Sequence, residues 1–434
     1  MIYEILFFLF LLVILYISFR NKKPLGFDAY FFDNYSLNYK DIFYTFSASW
    51  IGAASIILLS EKAALIGINS FFIIPLPTIL SLFALFLLRK KILENKSKTI
   101  EQIIEEHYGK RFAIITSIIF LWYLILLTSS QMVALGKVGE NFLNIDYEVF
   151  LVFSSFIIII YSSLRGYKAV INTDKFQLFF IIIGILMIFI FSLFKNPSPN
   201  IINLKLSSFS PELILITISF TFAWTVSPVS IQRVKSGKDN SSVLKGILFS
   251  SVFLLLFFLI IIYIGIGFGN EITKIKFPQP LRVILFIVLI SALFSTIDTM
   301  LNSSTMSFYY LTGKNMIIGS FLIGILSIII SLKIPSIIKT LGLSSEILTE
   351  ALFLPIIYSL LKPNHKNKYS GRIIIIIGIA TSLLSFANEI FGFRTFLLWP
   401  KSILFSLPLL IIVFMISLIL EERKNVEIFN NRYK

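Results

Sequence analysis

Residues Ala292–Asn302 read ALFSTIDTMLN, a polar run inside a stretch otherwise long and apolar enough to cross a bilayer. Ser295, Thr296, Asp298, Thr299 and Asn302 fall within eight positions there. A carboxylate at bilayer depth costs about 2.5–3.5 kcal/mol, and such residues face a bundle interior and mark an ion or solute path. A helix turns about 100° per residue, so Ser295 and Thr299 share a face, with Thr296 beside them. Hydroxyls and a carboxylate on one face make an oxygen surface suited to a small hard cation. The stretch predicts an all-α polytopic membrane protein of the transporter class.

Composition agrees. The 434 residues are 57% hydrophobic and 14% charged, with a mean hydropathy of +0.89; a soluble domain sits nearer half apolar and a quarter charged. There is no Cys, which excludes disulfides, thiolate metal sites and a cysteine nucleophile. The two histidines, His107 and His365, lie in basic polar connections, so no enzyme constellation is visible. The formal net charge of +15 raises the question of nucleic acid, but the charges sit in short connections between apolar segments.

Thirteen segments are each long enough to span about 30 Å of hydrocarbon: Ile2–Phe19, Ile42–Ile66, Phe71–Leu88, Phe112–Leu135, Val149–Leu164, Lys175–Phe194, Leu213–Ile231, Val243–Phe268, Leu281–Leu311, Met316–Leu332, Ile337–Leu361, Ile373–Ile390 and Phe396–Leu420. Alternate sides then hold 27 and 11 of the 38 Lys and Arg residues, Arg233 and Lys235 counted on the richer side. By the positive-inside rule the richer side is cytoplasmic. The expected protein sits in the plasma (inner) membrane with its N-terminus outside and its C-terminus cytoplasmic. Ile2–Phe19 reads as a span rather than a signal peptide, since Arg20, Lys22 and Lys23 follow it and no basic region precedes it. The bilayer and a small solute are the expected partners, and the basic excess is topological.

The chain reads as one transmembrane domain, residues 1–434. Residues 41–194 and 211–361 each hold five segments, and an odd number inverts the second set relative to the first. That is the pattern of inverted repeats around a midplane site, with 1–40 and 362–434 peripheral. Each repeat should open on an interrupted helix. Ser47–Ser55 (SASWIGAAS) is a small-residue run in mid-segment, and Thr225-Val226-Ser227-Pro228 places a proline inside the other. Broken helices are tolerated in a membrane where they line a cavity. The longest polar stretch, Arg89–Arg111, has capping-box spacing at Thr99 and Gln102, and predicts a short amphipathic helix or a solvated connector.

These stretches together resemble the sodium:solute symporter family, which has a LeuT-type core of ten helices. The residues that carry the resemblance are SASWIGAAS (Ser47–Ser55), SSLRGYKAVINTDKFQ (Ser162–Gln177), SPVSIQR (Ser227–Arg233), ALFSTIDTMLNSS (Ala292–Ser304), TIEQIIEEHYGKR (Thr99–Arg111) and ALFLPIIYSLL (Ala351–Leu361). The resemblance implies a sodium-coupled symporter rather than an enzyme. It places a sodium ion on the carbonyls of Ala48, Ile51 and Ala292 and the hydroxyls of Ser295 and Thr296. It also offers Asp174, with Asp298 and Thr299, as a second sodium site or exit path. Asp174 has a simpler reading as a cap at the start of the sixth segment.

The solute should sit beside the breaks, near Ser49, Ala53, Ala54, Ser55, Phe220, Ala223, Trp224 and Ser227, with Gln131 offering both donor and acceptor. The family's sugar transporters carry acidic or amide side chains around Ala54, Ser55 and the early third helix, where this chain has small residues, Pro75 and Pro77. An amino acid, a monocarboxylate or a pantothenate-like acid is therefore expected over a sugar. A solute sensor on the same fold and a proton-coupled carrier are the competing readings.

Overall fold

The computed structural model describes residues 2–20, 26–162, 166–195, 210–313, 316–363, 368–391 and 399–432. Helix α1 (Ile2–Arg20) and the short α2 (Phe27–Phe32) precede a broken pair, α3 (Tyr39–Trp50) and α4 (Ala53–Ile66). A 3-10 turn, Gly67–Phe72, leads to α5 (Pro75–Glu94), α6 (Ile100–Tyr108), α7 (Lys110–Val138), α8 (Tyr147–Ser162) and α9 (Tyr167–Lys195). A second broken pair, α10 (Pro211–Val226) and α11 (Pro228–Lys235), is followed by α12 (Asn240–Phe268), α13 (Gln279–Thr312) and α14 (Met316–Lys333). Helices α15 (Ile337–Ile347) and α16 (Phe353–Leu361) flank a π-helical turn at Leu348–Leu352; α17 (Lys368–Phe391) and α18 (Lys401–Arg432) follow.

Among the described residues, eight helices are long and apolar enough to cross a membrane, or nine if α10 and α11 form one bent span. Three shorter apolar helices, Ile2–Ser18, Tyr147–Ile160 and Ile317–Lys333, cover three more of the expected segments. Length and apolarity among the described residues thus do not establish the expected count of thirteen. The polar stretch that opened the sequence reading lies on α13, which packs against α7, α9 and α3 at the centre. The most apolar window of α13 is 67% buried, against 28% for α18, which leaves α18 to face lipid.

Both expected interruptions are present. The helix stops after Trp50; Ile51 (φ −89, ψ 68) and Gly52 (φ −73, ψ 148) are non-helical, and α4 restarts at Ala53. A Cβ on Gly52 would lie 2.8 Å from the Gln131 amide, so glycine allows a close approach here. In the second pair Ser227 is extended (ψ 134), Pro228 takes the first helical position, and the axes bend by 43°. Proline lacks the N–H that would continue α10 and has the φ that starts α11.

Three expectations are corrected. Helix α9 begins at Tyr167 rather than Lys175, so Asp174 lies about two turns inside it and caps nothing. Within KAVINTDK, Thr173 and Asp174 are buried while Lys168 and Lys175 reach solvent, and Thr173 donates back to the Ala169 and Val170 carbonyls. The connector around Thr99 is a capped helix, as one of its readings had it, but only part of it is solvated: Glu106 and Lys110 are exposed, whereas Glu101 is fully buried and accepts from Ser307 at 2.7 Å. Burial pushes the Glu101 carboxyl above its ordinary range. Arg233, counted among connection charges, is fully buried in α11, because the proline that breaks the span carries the helix on through position 235.

Candidate ion and solute site

The two breaks meet at a cavity of about 70 Å³, room for a few water-sized groups. Ser49, Trp50, Gly52 and Ser55 line it from the first break, and Trp224, Ser227, Val229 and Ser230 from the second. Tyr123 and Gln131 of α7, Thr296 and Thr299 of α13, and Ile74 and Thr78 beside the start of α5 complete most of the wall. None of the lining side chains is charged. Of the expected solute residues, Ser49, Ser55, Gln131, Trp224 and Ser227, and of the expected ion residues, Thr296 and Thr299, line this one cavity. Phe220 stands behind the wall and stacks on Trp224 at 4.9 Å, and Trp50 meets Trp224 edge-on at 5.9 Å. Ala53 is buried at the start of α4, outside the wall.

Polar contacts lock the two breaks to α7. Gln131 Oε1 accepts the backbone N–H of Ala54 at 3.2 Å, which satisfies a first-turn donor of α4. Tyr123 donates its hydroxyl to Ser227 at 3.3 Å. Helix α4 has no side-chain cap from Gly52 itself, and Gly52 and Ser55 line the cavity, so the positive end of the α4 dipole lies at the cavity wall.

The residues expected to hold a cation are all buried. Ala48 and Ile51 end α3, and Ala292, Ser295 and Thr296 lie on the α13 face. Thr296 Oγ1 donates to the Ala292 carbonyl at 2.7 Å, which leaves its lone pairs free to accept or ligate. Ser295 donates to Asp174 Oδ1 at 2.5 Å and Thr45 to Oδ2 at 3.0 Å. Asp298 is buried within electrostatic reach of Asp174. Asn302 lies further along α13, where Gln232 donates to it at 3.0 Å and ties it to the Phe31 carbonyl; it belongs to the scaffold.

Two residues here were missed in the sequence. Arg233 Nε donates to the Thr45 carbonyl at 3.2 Å and Nη1 to the Val229 carbonyl at 2.8 Å. Its Nη2 donates to Thr299 Oγ1 at 3.2 Å and, over a short contact, to Ser49 Oγ. Ser49 and Thr299 are themselves 2.9 Å apart. The signal was an arginine shortly after a helix-breaking proline, in a span the breaks place at the core. Trp399 stacks on Phe220 at 5.8 Å and donates to Ser219 at 3.4 Å; nothing local in the sequence marks it.

The sodium:solute symporter family matches residues 30–419. The chain belongs to that family. It is an integral membrane protein of LeuT-type fold, and sodium is its coupling ion. Its structure is similar to that of a Na+-coupled sialic acid symporter in a substrate-bound outward-open state (TM-score 0.75, 16% identity, covering 97% of this chain and 96% of that one). It is also similar to a nucleobase-cation-symport-1 family transporter with bromovinylhydantoin bound (0.58, 12%, 92% and 94%), and to MhsT in complex with L-phenylalanine (0.53, 13%, 92% and 100%). These likenesses are of fold. No curated protein matches the chain by sequence.

Proposed function

We propose that this family member is a carrier that imports a small organic acid with sodium by alternating access. The observation that supports this is the cavity between the two helix breaks, where an uncharged polar wall meets the hydroxyl face of α13. We read residues 41–194 and 211–361 as inverted repeats, and the basic connections as cytoplasmic, with the N-terminus outside and the chain in the plasma (inner) membrane. Sodium is held by the carbonyls of Ala48, Ile51 and Ala292 and the hydroxyls of Ser295 and Thr296; all five residues are buried where α3 packs on α13. Carbonyl and hydroxyl oxygens suit a hard monovalent cation.

The solute class follows from the wall. With no cationic side chain lining it, a carboxylate is held at the start of α4, where the dipole is favourable and Gln131 takes only the Ala54 N–H. The rings of Trp50 and Trp224 pack its apolar part, and Gln131, Ser55 and Ser227 set its orientation. A sugar would leave many hydroxyls facing Ile74, Leu127, Val229 and Leu341. We therefore favour an amino acid or a monocarboxylate.

Arg233 bears on stoichiometry. A second sodium ion on Thr299 would share that hydroxyl with the guanidinium. Two unit charges about 4 Å apart repel by about 4 kcal/mol at an effective dielectric near 20. We read Asp174, with Asp298, as the path by which the ion leaves rather than a second site at Thr299. Coupling requires that sodium bind one conformation better than another.

The test is thermal unfolding of purified protein in NaCl, KCl and choline chloride, for wild type and Thr296→Ala. A ligand that binds only the folded state stabilises it by RT ln(1+[L]/Kd). Sodium-specific stabilisation that Thr296→Ala removes or reduces supports the site and licenses uptake assays in proteoliposomes. Equal response to the three salts sinks sodium binding and turns the reading to a proton-coupled carrier or a sensor.

A further inference from the structure

A second acidic centre lies outside the cavity. Glu346 at the end of α15 and Glu350 in the π-helical turn are each 1% exposed, within a candidate membrane span. On α18, Ser402 donates a short hydrogen bond to Glu346 and Ser406 another to Glu350. Both pairs are spaced four residues apart, so the bonds form two rungs between the elements. From α17, Thr381 donates to Glu350 Oε2 at 2.5 Å and Ser382 at 3.1 Å. Ser385, fully buried on α17, faces Glu346 yet completes no hydrogen bond within the protein, and neither does Glu346 Oε2. π-Turns of this kind recur at functional sites.

Two ionised carboxylates do not share such a site unaided: a proton, a cation or one of each must balance them. Burying one carboxylate costs several kcal/mol, and a second beside it adds repulsion. Among the described residues no cationic side chain is bonded to either one. The nearest lysines in sequence on the packed elements are engaged elsewhere: Lys339 with Glu389 at 2.5 Å and Lys401 with Glu212 at 3.1 Å, both partly exposed. Hydroxyls can solvate two anions but cannot neutralise them. Glu346 Oε2 and Ser385 Oγ, on facing elements, are the buried oxygens here that complete no full hydrogen bond.

We propose that Glu346, Glu350, Ser385 and Ser402 form a sodium-binding site distinct from the one at Thr296. All available ligands are hard oxygens, which excludes softer metals; sodium is taken as the occupant because it is the family's coupling ion. The site reaches the solute region through two contacts. Thr349, beside Glu350, donates to the Ser219 carbonyl of α10 at 2.8 Å, and Trp399, just before the α18 serines, stacks on Phe220. An ion here therefore stiffens the wall behind Trp224. The proposal depends on the preceding functional reading only for the identity of the ion.

The experiment is equilibrium binding of radioactive sodium to the purified full-length chain, with thermal unfolding in NaCl, KCl and choline chloride at constant ionic strength. The proteins are wild type, Thr296→Ala, Ser385→Ala and the double variant. Thr296→Ala should retain a residual sodium-specific rise in Tm. Ser385→Ala removes only the weak contact to Glu346, so its Tm in choline should fall little from that of wild type, while sodium binding at this site weakens about tenfold or more. The double variant should lose all sodium specificity. If Thr296→Ala alone abolishes the sodium response, this site is refuted and the cavity site stands. If Thr296→Ala and the double variant respond alike, it is refuted as well. A rise in Tm on acidification, with no residual sodium effect in Thr296→Ala, would identify a protonated carboxyl pair and also overturn it. A wild type indifferent to sodium refutes both sites together. Should Thr296→Ala fail to fold, the loss of one bound sodium per chain in Ser385→Ala alone decides the question.

Discussion

Asp174 and the Glu346–Glu350 pair are both buried carboxylate centres in apolar spans, and they are built differently. Asp174 receives two hydroxyl donors and lies within reach of the charge of Arg233. The glutamates receive four hydroxyl donors and no bonded cation among the described residues. The contrast separates two jobs that a polar lining performs. Hydroxyls replace the water an anion loses, whereas only a positive charge offsets the repulsion and desolvation that remain. One centre has a buried guanidinium nearby, though not bonded to it; the other is balanced by a recruited cation or a proton.

The largest expected effect tests the self-contained centre. Arg233→Met keeps volume but removes the charge and leaves Ser49, Thr299 and two carbonyls without their donor. Leaving a buried acceptor without its donor costs about 1–3 kcal/mol each, so the detergent-purified variant should unfold well below wild type or not accumulate. Arg233→Lys restores the charge but not the fork, and should recover only part of the loss. An Arg233→Met protein that melts with wild type would show that Asp174 is neutralised by other means, and the contrast between the centres would collapse.

The two centres also differed in legibility, and for physical reasons. The breaks could be read because glycine, small residues and proline act on the backbone locally, and the α13 hydroxyl face because helical spacing is local too. Arg233 could not be read that way: it sits among Lys235 and Lys238 in sequence, and its partners come from residues 45, 49 and 299. Asp174 was misplaced because polar letters facing a polar core look like a connection. The glutamates were overlooked for a different reason, since the rule that flagged Asp298 applies equally to two acids four apart in Ile337–Leu361. That signal was present in the sequence. What no local pattern could supply was α17 and α18, whose serines and threonines surround the pair.

A medium effect probes how each centre is held. A Cβ at Gly378 would lie 2.4 Å from the backbone carbon and oxygen of Glu350, neither of which can swing aside. Gly378→Ala should therefore push α17 off the π-turn at about 1–3 kcal/mol, the usual range for overpacking, and weaken sodium binding there. At Gly52 the obstacle is the flexible Gln131 amide at 2.8 Å. Gly52→Ala should lower Tm less, yet cost uptake more, because displaced Gln131 releases Ala54 and intrudes on the cavity. Equal stability losses at both glycines would mean that backbone and side-chain obstacles are not distinguished here.

The smallest expected effect is the sharpest on the outer centre's lack of a resident cation. Lys339 is on α15, two turns before Glu346, and pairs with Glu389 of α17 at 2.5 Å. Its side chain is 53% exposed, and exposed pairs of this kind contribute about 0.2–1 kcal/mol. Lys339→Ala should shift Tm in choline chloride by no more than that, and should leave the sodium-specific rise of the Thr296→Ala background unchanged. If instead that rise grows markedly, the lysine has been competing with sodium through the low-dielectric path along α15. The glutamate pair would then be partly compensated after all, and the difference between the two centres would be one of degree, set by how far a charge sits from the carboxylates it offsets.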